Sequence, residues 1–278
     1  DLLHSSYGGI FSGTVPTRLF FNDGTGHFEE FNPSGVQLTG GNIPNGTPGL
    51  WCEGLQFQGT TNTTGAQCDI AETTVDLDAG DIDGDFDLDV LLGSRNGLPR
   101  MFANRLVENG GTPGFRDVTH AAFPPGYVSG SGHYEQEMGD MDGDLDLDVY
   151  GVNWRSPFVD QTLENDGAGA FFDPRAVPGS GADEEEADFL DYDNDGDLDV
   201  FVANFSGQDR LYRNDTMQAG IVLVDATSSV QANTGVKRDA DCCDVDGDDD
   251  YDVFTATAQC GANGCYENTT LADDVTPP

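Results

Sequence analysis

The feature that most constrains this chain is a short acidic phrase written four times: DIDGDFDLDVLLGS from Asp81, DMDGDLDLDVYGVN from Asp140, DYDNDGDLDVFVAN from Asp191 and DVDGDDDYDVFTAT from Asp244. The copies begin about 50 residues apart, the length that four strands and their turns require. Each acidic loop runs into a Val-led apolar strand and a Gly/Ser/Asn turn. A stretch rich in Arg, Tyr, Phe and Asn follows (PRMFANR, DQTLEND, DRLYRND, GCYENTT), then a last strand near an acid (GFRDVT, GAFFDP, GIVLVDAT, LADDVT). Helical periodicity of ordinary length is absent. The pattern predicts an all-β chain, a β-propeller of four-stranded blades, with blades over 71–125, 126–178, 179–230 and 231–278.

The first residues join this pattern in its middle. Asp1, Leu2 and Leu3 align with Asp89, Val90 and Leu91, and PTRLFFNDGTGHFEEF aligns with the later strands of a blade. Residues 1–34 are therefore expected to form a partial blade whose innermost strand comes from upstream sequence, the other end of the chain or another molecule. With no Met or apolar leader at Asp1, a mature, processed or partial chain is expected. Residues 35–70, rich in Gly, Thr and Asn, read as an inserted loop.

Fifty-one acidic residues against 11 basic give a formal net charge of −40, which opposes nucleic acid and anionic membrane and favours cations as partners. No stretch has the length of a membrane-spanning helix, so no membrane insertion is expected. The acids are concentrated in the four loops, where alternating side chains converge on one point. Hard oxygens at that density suit Ca²⁺, which takes six to eight of them, better than Mg²⁺, which keeps water in a strict octahedron. The expected ligands are Asp81, Asp83, Asp85, Asp87 and Asp89; Asp140, Asp142, Asp144, Asp146 and Asp148; Asp191, Asp193, Asp195, Asp197 and Asp199; and Asp244, Asp246, Asp248, Asp250 and Asp252. Position seven of each loop is expected to contribute its backbone carbonyl and the others carboxylates. That is at least four Ca²⁺. An EF-hand is excluded, because position twelve is Leu92, Gly151, Val202 or Thr255 and strand formers follow.

GDIDGDFDLDVLLG and DYDNDGDLDVFVAN resemble the FG-GAP/VCBS repeats of integrin-α-like β-propellers. The resemblance extends over nearly the whole chain outside 35–70. It implies four-stranded blades around a central channel, with Ca²⁺ in the hairpin between the first and second strands of each. It also implies more blades than four and a half, hence further sequence or assembly with a neighbour. One departure is the pair of acids ahead of each loop: Asp76 and Asp78, Glu135 and Glu137, Glu186 and Asp188, Asp239 and Asp241. Their spacing of two puts each pair on one face of the innermost strand, as sites for additional cations or as a solvated acidic face.

Six cysteines in close pairs, far from the histidines, suit disulfides in an oxidising compartment. Cys52 with Cys68 is the first expected pair. Cys242 and Cys243 pair with Cys260 and Cys265 in either order, or with each other. Five N-x-S/T sequons, at Asn45, Asn62, Asn204, Asn214 and Asn268, fit a secreted glycoprotein. No catalytic constellation is recognisable. G-x-S-x-G and phosphate-cradling loops are absent, the histidines are dispersed, and His133 with Tyr134 is the only faint candidate. Trp51 and Trp154 lie in loop-like contexts and suit either sugar stacking or packing. The expected function is that of an extracellular or cell-surface calcium-binding propeller with a structural or adhesive role, one that a homo-oligomer or filament would suit. Its partners would be protein subunits or glycans. A lectin-like module and a polysaccharide-active enzyme are the alternatives.

Overall fold

The computed structural model describes residues 1–4, 18–30, 52–53, 55–57, 60–62, 74–94, 99–111, 114–129, 133–154, 157–217, 220–233, 235–258 and 263–269. The chain is all-β and of the β-propeller class; the described residues form five blades of three or four antiparallel strands, the first of them a partial blade at the N-terminus. It divides into two compact units, Asp1–Ser131 with Gly167–Ala170, and Gly132–Asp166 with Phe171–Pro278.

In the first unit, β1 (Leu2–His4), β2 (Arg18–Asn22) and β3 (Phe28–Glu30) make the partial blade. Three short strands fall in the expected inserted loop: β4 (Cys52–Glu53), β5 (Leu55–Phe57) and β6 (Thr60–Asn62), of which β5 and β6 pair as a hairpin. The second blade comprises β7 (Thr74–Gly80), β8 (Asp89–Ser94), β9 (Arg100–Asn104) and β10 (Phe115–Asp117), and β4 adds to its outer edge parallel to β10. All of β8 is buried. Its unbroken apolar run is that of a strand buried on both faces. Val90, Leu92 and Phe102 pack against Leu3 and Leu19 of the partial blade and against Leu77 and Phe115. Two short helices, Thr119–Ala122 and Pro125–Ser129, follow this blade.

In the second unit, the third blade is β11 (His133–Gly139), β12 (Asp148–Asn153), β13 (Gln161–Asn165) and β14 (Phe171–Ala176). The fourth is β15 (Asp183–Leu190), β16 (Asp199–Ser206), β17 (Arg210–Asn214) and β18 (Leu223–Asp225). The fifth shows β19 (Lys237–Cys243), β20 (Asp252–Thr257) and β21 (Gly264–Tyr266), and its expected last strand, LADDVT, lies outside the described residues. Met141, Tyr150 and Val152 of the third blade interleave with Val200, Val202 and Tyr212 of the fourth. Leu190, Phe201 and Leu211 of the fourth meet Ala240 and Val253 of the fifth. Each of these three joints therefore contains a buried apolar layer. The acidic loops sit at the turn between the first and second strands of each blade.

Candidate metal-binding loops

Each loop is a tight turn that the sequence can make only by entering the left-handed region twice. Position four does so as Gly84, Gly143, Asn194 or Gly247, with φ of 76°, 78°, 58° and 84°. Position six does so as Phe86, Leu145, Gly196 or Asp249, with φ of 71°, 79°, 97° and 71°. Glycine and Asn accept that conformation readily, but Phe and Leu are strained in it. The Phe86 and Leu145 side chains nonetheless stand 93% and 91% exposed.

The loop carboxylates divide into two kinds. Those at positions one and nine are struts. Asp81 Oδ1 accepts from the Gly84 and Asp85 N–H groups and its Oδ2 from Phe86; Asp140 does the same with Gly143, Asp144 and Leu145. Asp191 receives Asp195 and Gly196, and Asp244 receives Gly247 and Asp249. At position nine, Oδ2 of Asp89, Asp148, Asp199 and Asp252 accepts the N–H of Ile82, Met141, Tyr192 and Val245 across the loop. Oδ1 of the same residues accepts the N–H of Asn104, Asn165, Asn214 and Asn268 at the end of the third strand, at 2.7–3.0 Å. Asp1 Oδ1 accepts the Asn22 N–H at 2.9 Å in the same way, so the partial blade joins the pattern at position nine.

Positions three and seven point inward. Oδ1 of Asp83, Asp142 and Asp193, and of Asp87, Asp146, Asp197 and Asp250, is buried with no hydrogen-bond partner. Buried polar atoms are rarely left in this state, and here the same two positions recur from loop to loop. Position five supports the turn, with Asp85, Asp144, Asp195 and Asp248 each accepting the N–H of position seven. Carboxylate oxygens of Asp81, Asp83 and Asp85 lie within 4.8 Å of one another, as do those of Asp140, Asp142 and Asp148, and of Asp191, Asp193 and Asp199. Asp85, Asp87 and Glu108 converge equally closely. The position-seven side chain thus faces the loop interior, where only its carbonyl was expected to contribute. Asp246 completes the fourth loop and is half-buried.

Desolvation, reinforced by neighbouring carboxylates, raises the pKa of Asp83, Asp142 and Asp193 above the ordinary value. The same causes bring Asp146 to about 6 and Asp197 to about 7. Burial brings Asp89, Asp148 and Asp199 to about 7 despite the N–H bonds they accept. Clustered oxygens that resist ionisation together, with unpartnered lone pairs turned to one point, fit a hard divalent cation.

The acid pairs ahead of the loops have another local role. Glu135 Oε2 accepts the Ala187 N–H at 3.1 Å, and Glu186 Oε2 accepts the Ala240 N–H at 2.6 Å. Asp188 accepts both the backbone N–H and the thiol of Cys242. These acids tie the innermost strand of one blade to that of the next. Oxygens of Glu135, Glu137 and Glu186 also converge within 4.8 Å. Asp76 and Asp78 are half-buried on β7, whereas Asp239 and Asp241 are exposed on β19.

The covalent expectations fare differently. Cys242, Cys243 and Cys265 are free thiols in place of the expected disulfides. Cys242 and Cys243 are consecutive on β19 and so face opposite sides of the strand, which keeps them from pairing with each other. Cys68, Cys260 and the Cys52 side chain lie outside the described residues. The sequons at Asn204 and Asn214 are overturned as glycan sites of the folded chain, since both residues are buried. Asn204 Nδ2 donates to the Gln208 carbonyl, and Asn214 Nδ2 donates to the Met141 and Leu198 carbonyls. Asn268 Nδ2 donates to the Tyr192 carbonyl. Asn214 and Asn268 each clasp the loop of the preceding blade. Asn45 and the Asn62 side chain lie outside the described residues, as does Trp51; Trp154 is half-buried just after β12. His133 is buried, and its pKa falls to about 4 because burial disfavours the imidazolium. The Tyr134 hydroxyl donates to Glu185.

The fold and its four wired acidic loops define a repeat-built β-propeller. Residues 140–202, from the start of the Asp140 loop to the strand after the Asp191 loop, match the family model described as FG-GAP-like repeat. The resemblance read from the loop motifs holds over that stretch. No curated protein matches the chain.

Proposed function

We propose that each of the four loops holds one calcium ion and that the protein is an extracellular, non-enzymatic propeller with a structural or adhesive role. The observation that carries this is the recurrence of inward, unpartnered oxygens at positions three and seven. Struts at positions one and nine hold the turn in place, so the lone pairs are presented together to an ion. Asp83, Asp85 and Asp87, with their counterparts in the other loops, would hold the cation. Its charge would offset the repulsion among them and pin the hairpin that opens each blade.

The adhesive reading rests on the FG-GAP-like repeat and on the blade architecture, whose natural partners are protein subunits, including further copies, or glycans. Calorimetric titration of chelated protein tests the ion, with about four Ca²⁺ per chain expected and no heat above buffer refuting it. Electron microscopy before and after chelation tests the structural role. Assemblies that fray on chelation support it, and unchanged single particles refute it.

A further inference from the structure

The second unit contains the same blade joint twice with opposite chemistry. Seven residues ahead of the loops of the fourth and fifth blades stand Glu184 and Lys237, paired with the equivalent positions Asn204 and Thr257 of the next strand. Both are 0% exposed. Each faces the aspartate that closes the turn between the second and third strands of the preceding blade, Asp160 for Glu184 and Asp209 for Lys237. In the later joint Lys237 Nζ lies 2.9 Å from Asp209 Oδ2 and donates to the Gly235 carbonyl, and the Tyr266 hydroxyl donates to the same Asp209 oxygen. A buried charge has its counter-charge there.

The earlier joint has no such ammonium. Asp160, fully buried, accepts the Asn153 N–H and Nδ2 on Oδ1 and the Tyr150 hydroxyl on Oδ2, bonds that favour its anionic form. Glu184 Oε1 accepts the Ala182 N–H, but its Oε2 is buried and has no hydrogen-bond partner. The hydroxyl of Tyr212, the counterpart of Tyr266, is likewise buried without one. Burial raises the pKa of Asp160 and of Tyr212; the Glu184 charge adds to the rise at Asp160, and both carboxyls add to that at Tyr212, so the three groups share one locality. Asp183 adds a further negative charge beside Glu184. Among the described residues the cation facing them is Arg210, whose charge works against the rise that burial gives the Glu184 pKa and which also pairs with Asp225 at 3.5 Å. Among the described residues the acids there outnumber the cations, and two orphaned oxygens lie where the neighbouring joint places an ammonium.

We propose that a monovalent cation, an alkali ion or ammonium, binds between Asp160, Glu184 and Tyr212 in the place that the Lys237 side chain fills one blade later. The site is distinct from the acidic loops and ties the third blade to the fourth.

Thermal melting of the full chain at fixed, saturating Ca²⁺ tests it, comparing potassium or sodium chloride with tetramethylammonium chloride at equal ionic strength. The native protein should lose several degrees in the bulky salt, and Glu184→Lys, which supplies its own ammonium, should melt alike in all three. A native protein indifferent to the cation overturns the proposal, and one that instead becomes more stable as pH falls below neutrality shows a proton shared by the two carboxyls. Retention of the salt effect in E184K also overturns it. Should E184K fail to fold, crystals of the native protein in rubidium chloride decide: an anomalous peak between Asp160 and Glu184 supports the site, and its absence refutes it. Because Ca²⁺ is constant throughout, failure here leaves the loop reading untouched.

Discussion

Asp142→Ala and Asp148→Asn, six residues apart in one loop, should act in opposite ways once calcium is removed. Asp148 is buried, and its two oxygens accept the Asn165 and Met141 N–H groups at 3.0 and 2.9 Å. An asparagine keeps one acceptor and turns an NH₂ toward the other N–H, so one charge-assisted bond is lost and a buried donor is left unpaired. Together these cost about 3 to 5 kcal/mol with or without metal. Asp142 is different, because its Oδ1 has no partner and Asp144 and Glu164 both oppose its ionisation. Removing it in chelator relieves repulsion of about 1 kcal/mol per neighbouring charge at the dielectric of water, so D142A should be neutral or slightly stabilised there. With Ca²⁺ present it should lose most of the stabilisation that the ion confers on that loop. Urea unfolding at pH 8, followed by tryptophan fluorescence with either EDTA or excess Ca²⁺, measures all four combinations. Equal destabilisation of D142A in both media, or a D148N protein of native stability in EDTA, would refute the division into struts and ion ligands.

Phe86→Gly should stabilise the protein by about 1 kcal/mol, since a strained left-handed φ is relieved and almost no apolar area is given up; a lower urea midpoint would show that the exposed ring serves the fold. Lys237→Met leaves Asp209 buried without its ammonium and should cost about 3 to 5 kcal/mol by the same assay, whereas a neutral outcome would mean that the pair is dispensable. In chelator, burial and neighbouring carboxylates hold Asp146 and Asp197 near 6 and 7 in the folded state, above the ordinary value of 3.8. A raised carboxyl pKa gives stability that is complete below the unfolded value and declines as pH rises toward the folded one. Metal-free protein should therefore melt higher at pH 5 than at pH 8. Calcium should reverse that order and release protons at pH 6 to 7, detectable with an indicator dye. Peptide mass mapping of secreted material should find Asn204 and Asn214 bare, and a glycan on either would contradict their buried Nδ2 bonds.

Much of this was legible because the repeat makes the sequence its own alignment. Four copies of one spacing located the loops and the second strands, and the match of Asp1 to Asp89 located the partial blade, which the Asp1–Asn22 bond bears out. What stayed hidden was the use of each side chain. Nothing in DLDV says that its last aspartate receives backbone N–H groups while the one before it faces inward, because the donors come from residues such as Asn165 on another strand. The recurring Asn at the end of FFN, FAN, LEN, YRN and YEN was the available signal. At Asn214 and Asn268 it also reads as a sequon, whereas its amide clasps the loop of the preceding blade. The acid pairs likewise have backbone partners that only the packing of β11 against β15, and of β15 against β19, supplies.

The place seven residues before each loop shows how far a repeat constrains its copies. It is Thr74, His133, Glu184 and Lys237 in turn, and all four are buried. A position set only by apolar packing would be filled by similar side chains, and one set by the loop ion would be acidic throughout. This place instead answers to whatever polar group its own neighbourhood presents. Burial drives His133 toward the neutral imidazole, and Lys237 is matched to Asp209. Glu184 against Asp160 is the joint whose charges do not balance. The loops are therefore interchangeable in design, while the joints are specified one at a time. Exchanging whole loops among the second, third and fourth blades should be tolerated, but placing lysine at His133 should not, since burial already disfavours a cation at that place.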